Sequence, residues 1–254
     1  MANSELADIK NGPVSPMRDG RIQVDVVCSL GFNCRPSLLL RRMGWRTFSG
    51  PVDWLSIPSA QSTVHLFDTG FTTLLDEFES IPTNHKQVKD AKVVDTKNGV
   101  TFIHPYMKGG VQVRIRDLSI EEIRWFHRSR WERQRRVMSL APCSLFVRFA
   151  PEKTAGDMDH VLLKGMVDRF AGNRSILVYI QKRRMEGRLS LYWASECEDV
   201  LRFDVNEGVD NDELFGVLCE EIVRQRFTLS DWHPKNKDSL GDDEEDLLKG
   251  GSDG

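Results

Sequence analysis

Ile22-Gln-Val-Asp-Val-Val-Cys28, Ser29-Leu-Gly-Phe-Asn33 and Cys34-Arg-Pro-Ser-Leu-Leu-Leu-Arg-Arg-Met43 follow one another without a break. The first block is dense in β-branched residues and reads as a buried strand. The second turns the chain around Gly31. The third reads as a helix that ends at Gly44, with Asn33 as its expected cap and Pro36 in the first turn, where a missing N–H costs nothing. A strand feeding a helix through a short turn is the unit from which α/β sheets are built.

Downstream the same alternation returns. Ser144–Phe149 reads as a strand, Met158–Phe170 as a helix, Ser175–Gln181, Leu189–Trp193 and Val200–Phe203 as strands, and Asn211–Arg226 as a closing helix. Between the two α/β parts, short helices are predicted over Gln61–Asp68 and Thr72–Phe78. Val88–Val94 and Val100–His104 flank Asn98-Gly99, a pair that tolerates the positive φ of a tight turn and so marks a hairpin. Val111–Arg116 alternates as a strand, and Ser119-Ile-Glu-Glu122 is a capping box that opens a helix to about Leu140. The expected fold is therefore α/β, a single-domain mixed sheet flanked by helices with a β-hairpin insertion.

The chain has 254 residues, 40% hydrophobic and 29% charged, with a formal net charge of -3. That balance fits a folded domain and is too apolar for global disorder. From Lys237 to Gly254 the net charge is -5, leaving +2 for the rest. The expected organisation is a flexible arm over 1–20, one domain over 21–235 and a disordered acidic tail over 236–254. The polar start, Met1–Lys10, predicts no secretory leader, and no stretch reaches the roughly 18 apolar residues of a membrane span. Five irregularly spaced cysteines suggest reduced thiols and a cytoplasmic protein.

The segment with chemical potential is the turn that ends at Cys34. A cysteine at a helix N-terminus meets unpaired N–H groups and the positive end of the helix dipole, which favour the thiolate over the ordinary thiol of pKa about 8.5. Backbone amides near Gly31–Cys34 would also stabilise an oxyanion. The competing reading is a core cysteine, since this residue type is often buried. Cys28, Cys143 and Cys219 read as structural, and nothing around Cys197 suggests activation. Of six histidines, His104 ends a strand and would present its ring rigidly. His233 reads as a surface residue, and His65, His85, His127 and His160 have no helpful neighbour. There is no CxxC, HExxH, Walker sequence or GxGxxG, so neither a cofactor nor a metal is expected. Arg124–Arg136 holds six arginines with Trp125 and Trp131. Its apolar stripe and interspersed glutamates favour a helix covering the sheet over a nucleic-acid grip.

Ser29-Leu-Gly-Phe-Asn-Cys34, followed by Leu38-Leu-Leu-Arg41 and then Phe48-Ser-Gly-Pro-Val-Asp-Trp54, resembles the opening of a bacterial family of unknown function described as papain-like cysteine peptidases. Arg128–Leu140 and Leu145-Phe-Val-Arg148 extend the likeness, which would span about Val24 to Phe227. The resemblance implies a cysteine-dependent hydrolase, with Cys34 as nucleophile, His104 as base, and a peptide or another amide as substrate. His104-Pro105 departs from the expected His-Asp, so Asp53, Asp117 or Asp157 would have to supply the orienting carboxylate. The first helix and the Asp53-Trp54 loop leave the same strand end, which would place Asp53 near Cys34. Gly31, Asn33, Trp54 and Arg148 are the expected substrate-binding residues, with Arg148 either on a substrate carboxylate or paired to Asp53. Two other readings stay open: a phosphate or sugar-nucleotide binding or transferase domain using the helix N-terminus, and a catalytically inactive interaction protein. The oligomeric state is not readable from the sequence.

Overall fold

A computed structural model of the chain describes residues 17–232 except 19, 47, 83–90, 103, 105, 109–110, 151–155, 157, 184–188, 194–198 and 207–211. The β-branched run forms strand on both sides of Asp25, which splits it into β2 (Arg21–Val24) and β3 (Val26–Ser29), while Met17–Arg18 precedes them as β1. The Asp25 carboxylate explains the split, because it accepts from the Cys143 N–H and from the Ser230 hydroxyl. Beyond it the chain changes partners: β2 pairs with β1 and with β14 (Phe227–Leu229), and β3 joins the main sheet. β1 therefore lies inside the stretch expected to be a loose arm.

After β3 come α1 (Arg35–Arg42), β4 (Leu55–Ser56), α2 (Ala60–Asp68), β5 (Phe78–Pro82), β6 (Ala91–Asp95), β7 (Val100–Phe102), β8 (Tyr106–Lys108) and β9 (Val111–Val113). A 3-10 turn (Ile115–Asp117) leads to α3 (Ile120–Leu140), β10 (Cys143–Ala150), α4 (Asp159–Phe170), β11 (Arg174–Arg183), β12 (Leu189–Trp193), β13 (Val200–Asn206) and α5 (Asp212–Arg226). The main sheet has the order β12-β13-β11-β10-β3. β3, β10, β11 and β13 run parallel and β12 antiparallel, which makes it the mixed sheet of an α/β fold. The insertion is a four-stranded antiparallel sheet, β4-β7-β6-β5.

β10 is buried along its whole length because both faces of the sheet are covered. Leu145, Val147 and Phe149 face one side with Leu39 and Leu40 of α1 and Ile222 and Val223 of α5. Phe146 faces the other, with Trp131 and Val137 of α3 and Leu163 and Met166 of α4. Ile123, His127, Arg130, Trp131, Gln134, Val137 and Met138 form one buried stripe on α3, and its capping box is present. The basic helix is thus a cover for the sheet, as its apolar stripe predicts. No helix among the described residues is long and apolar enough to cross a membrane.

Three local expectations need correcting. Thr72–Phe78 is not a helix: Phe71 and Leu75 take positive φ of 62° and 61°, and β5 starts at Phe78. Tertiary bonds displace helical ones there, since the Leu75 N–H donates to Asp95 and Thr73 O accepts from Asn98. The strand at Val111 stops at Val113 and tightens into the 3-10 turn. α1 begins one residue later than expected, with Cys34 at the N-cap position, yet Asn33 supplies the capping side chain, its Oδ1 accepting from the Arg35 N–H. The expected acidic tail, His85, His233, Cys197, Pro105, Asp157, residues 88–90 and most of the N-terminal arm lie outside the described residues.

Candidate active site

β3 delivers its chain to the carboxyl edge of the parallel sheet, where α/β folds place ligands. Leu30 N–H still donates to Val147 O at 2.9 Å, and then the chain turns. Gly31 and Phe32 take φ of +75° and +86°. The glycine does so freely, whereas for phenylalanine a positive φ costs on the order of 1 kcal/mol and is sustained by its surroundings. Gly31 N–H donates to Ser29 Oγ at 3.1 Å, and Arg35 N–H donates to Asn33 Oδ1 at 2.9 Å. Cys34 is a half-buried thiol at the N-cap of α1, and its carbonyl accepts from Leu38 N–H at 2.9 Å.

Arg148 fastens this turn to the segment after Trp54. Its Nη1 donates to Leu30 O and its Nη2 to Ile57 O, both at 2.7 Å. Ile57 N–H adds a bond to Phe32 O at 3.0 Å. The guanidinium is 2% exposed, and burial pushes its pKa down to about 10, which keeps it charged at neutral pH. Both of its forked bonds go to backbone carbonyls. Val52 closes the same wall, lying so near Gly31 that a Cβ there would stand 3.3 Å from it.

The β4–β7 ladder brings His104 to this wall. Leu55 pairs with Phe102 and Ser56 with Thr101. Trp54, one residue before Leu55, meets the ring of His104, two residues beyond Phe102, edge-on at 5.5 Å. His104 is half-buried, and burial holds its pKa below the ordinary imidazole value of 6.5. The Cys34 turn and His104 therefore flank the same strip of chain, Val52 to Ile57.

Asp53 in that strip is 3% exposed and turns to the arginines. Its Oδ2 accepts from Arg46 Nη2 at 2.9 Å and from Gly50 N–H at 2.8 Å. Arg46 also donates to Ser49 Oγ, and Arg133 Nη2 to Ser49 O at 3.1 Å. The ion pair of Asp53 is thus with Arg46 and not with Arg148, and no described hydrogen bond joins Asp53 to His104. Asp117 lies outside the site, on Arg114. Among the described residues no group of three or more His, Cys, Asp or Glu side chains is arranged to hold a metal.

His127, which reads as unremarkable in the sequence, organises the loop. The carbonyl of Pro51 must accept, so Nδ1–H donates to it at 2.6 Å and Nε2 accepts from the Tyr106 hydroxyl at 2.6 Å. Burial, helped by Arg130, pushes its pKa down to about 3, and burial pushes the Tyr106 phenol up. The available signal was its place on the α3 stripe, four residues from both Ile123 and Trp131.

A protein-family model described as "Putative papain-like cysteine peptidase", a domain family of unknown function, matches residues 25–170. The match begins at the bend before β3 and ends with α4, so it holds the Cys34 turn, the Asp53-Trp54 loop, His104, α3 and Arg148. It is shorter than the span to Phe227 that the sequence motifs suggest. No curated protein and no solved structure matches the chain.

Proposed function

The chain belongs to that papain-like cysteine peptidase family, and from this membership we propose that it is a cysteine-dependent hydrolase of peptides or other amides, acting in the cytoplasm. The observation that carries the reading is the placement of a half-buried thiol at a helix N-terminus, at the carboxyl edge of a parallel strand, after two consecutive positive-φ residues. Cys34 sulfur adds to the carbonyl carbon, and its proton passes to His104, whose depressed pKa keeps it neutral and able to accept. Collapse of the tetrahedral adduct breaks the C–N bond. His104 returns the proton to the departing amine, leaving a thioester. Water, deprotonated by His104, hydrolyses the thioester to a carboxylic acid and restores the thiol.

Gly31 and Arg35 N–H groups already bond side-chain oxygens, and Pro36 has none. The oxyanion is therefore assigned to the Phe32 and Asn33 amides, which no described hydrogen bond occupies. Asn33 and Trp54 border the substrate. Arg148 and Asp53 act as positioning residues, one clamping the two walls and the other holding the Trp54 loop on its arginines.

The test is turnover of a fluorogenic amide library by wild type and by Cys34→Ala. The expected result is a loss of roughly a thousandfold or more in Cys34→Ala, with an unchanged melting temperature. Wild-type turnover should persist below pH 6.5 before it falls, because His104 titrates lower than an ordinary imidazole. Equal turnover by the two proteins contradicts the mechanism.

A further inference from the structure

A general base works best when a third group holds its ring in the productive plane, and a carboxylate on the second ring nitrogen is the usual device. Among the described residues His104 makes no hydrogen bond and no ion pair. Burial alone lowers its pKa, and no carboxylate pulls against that effect. What the ring does meet is Trp54, with centroids 5.5 Å apart and planes at 66°. Aromatic pairs prefer this edge-on arrangement, so the contact restrains the orientation of the imidazole as well as its position. The indole is held by its faces in turn. Its N–H is shielded from solvent and has no hydrogen-bond partner, so no polar bond fixes its plane. The guanidinium of Arg46 lies 5.5 Å from the indole centroid, close enough for a cation to be drawn to the ring. Arg46 Nη2 donates to Asp53 Oδ2 at 2.9 Å, and the two side chains are 12% and 3% exposed. One series of contacts therefore runs from Asp53 through Arg46 and Trp54 to His104.

The order of the charges matters. A carboxylate bonded directly to an imidazole favours the imidazolium and raises its pKa. Here the Asp53 charge meets Arg46 first, and the neutral indole stands between that ion pair and the ring. Arg148, the other buried cation beside the strip, donates to the Leu30 and Ile57 carbonyls. We propose that Trp54 is the positioning residue of His104, its indole setting the plane of the imidazole, and that Asp53 orients the base at one remove, through Arg46. The inference rests on the hydrolase reading, in which His104 is the base. It explains how a histidine without a carboxylate of its own among the described residues is held ready to accept a proton.

The experiment titrates the His104 ring by NMR in the full chain with isotope-labelled histidine, the resonance being assigned by its loss in His104→Ala. In parallel, kcat and KM are measured on a fluorogenic amide. Trp54→Ala should move the His104 midpoint up towards the ordinary imidazole value of about 6.5. It should also lower turnover roughly ten- to a hundredfold, with kcat carrying most of the loss. Trp54→Leu, which keeps an apolar plug in the loop, should lose kcat to a similar extent. Trp54→Phe, which keeps a ring edge, should retain the low midpoint and a kcat within about threefold of wild type. The double variant Arg46→Met with Asp53→Asn removes the ion pair without stranding either buried charge, and should fall between Trp54→Phe and Trp54→Ala. Wild-type titration and kcat in Trp54→Ala or Trp54→Leu overturn the proposal, as does a Trp54→Phe protein no better than Trp54→Ala. A double variant that behaves as wild type overturns the part given to Asp53 and Arg46. The titration needs no turnover. An inactive wild type whose His104 midpoint answers to Trp54 therefore contradicts the hydrolase reading alone, and an active one indifferent to Trp54 contradicts this inference alone.

Discussion

His127 shows how one side chain can set the chemistry of a loop without touching substrate. As a neutral Nδ1–H tautomer it donates to Pro51 O and accepts from Tyr106, and a second ring proton would put a donor where the phenol now donates. Its folded pKa of about 3 lies below the ordinary 6.5. The unfolded chain therefore takes up a proton first, and stability falls as pH drops from about 6.5 towards 3. Between pH 6.5 and 4.5 the share due to His127 is about 2–3 kcal/mol at 1.36 kcal/mol per unit. Unfolding free energies from urea titrations at the two pH values should differ by that amount in wild type and by much less in His127→Gln. An unchanged difference would remove His127 from the account.

At the scale of elements, the strand–turn–helix unit from β3 to α1 is where local chemistry and architecture coincide. Gly31 combines a φ of +75° with Val52 atoms 3.3 Å from any added Cβ. Gly31→Ala should cost roughly 1–2 kcal/mol in chemical denaturation and reduce turnover disproportionately by tilting Cys34. A variant with native stability and native turnover would show that the turn has no such constraint. This unit was readable because each signal is local: β-branched residues, one glycine, one early proline, apolar residues at helical spacing. The strands β10 to β13 and the helices α3 to α5 were readable for the same reason. Phe32, Phe71 and Leu75 gave no warning, since bulky residues carry no positive-φ signal and adopt it here only under tertiary constraint. β14 was equally silent, because its three residues become a strand only when β2 lies alongside.

Across the whole molecule, the candidate site is assembled from three distant parts of the chain: the turn at Leu30–Cys34, the strip at Val52–Ile57 and the end of β7. Cys34 and His104 could be proposed singly from sequence, but their common neighbour strip could not. It depends on a buried arginine whose partners lie 118 and 91 residues away. Arg148→Met leaves the Leu30 and Ile57 carbonyls without their donors and should cost roughly 2–5 kcal/mol, with Arg148→Lys between it and wild type because an ammonium lacks the fork. Thermal melts rank the three proteins, and an Arg148→Met variant as stable as wild type would refute the clamp.

The account rests finally on Cys34 and His104 acting as a pair. The direct measurement is the iodoacetamide alkylation rate of Cys34 against pH, read by mass spectrometry in wild type and in His104→Ala. The account predicts an inflection below the ordinary thiol range of about 8.5 that moves when His104 is removed. Slow alkylation with an ordinary or higher inflection, the same in both proteins, would contradict it.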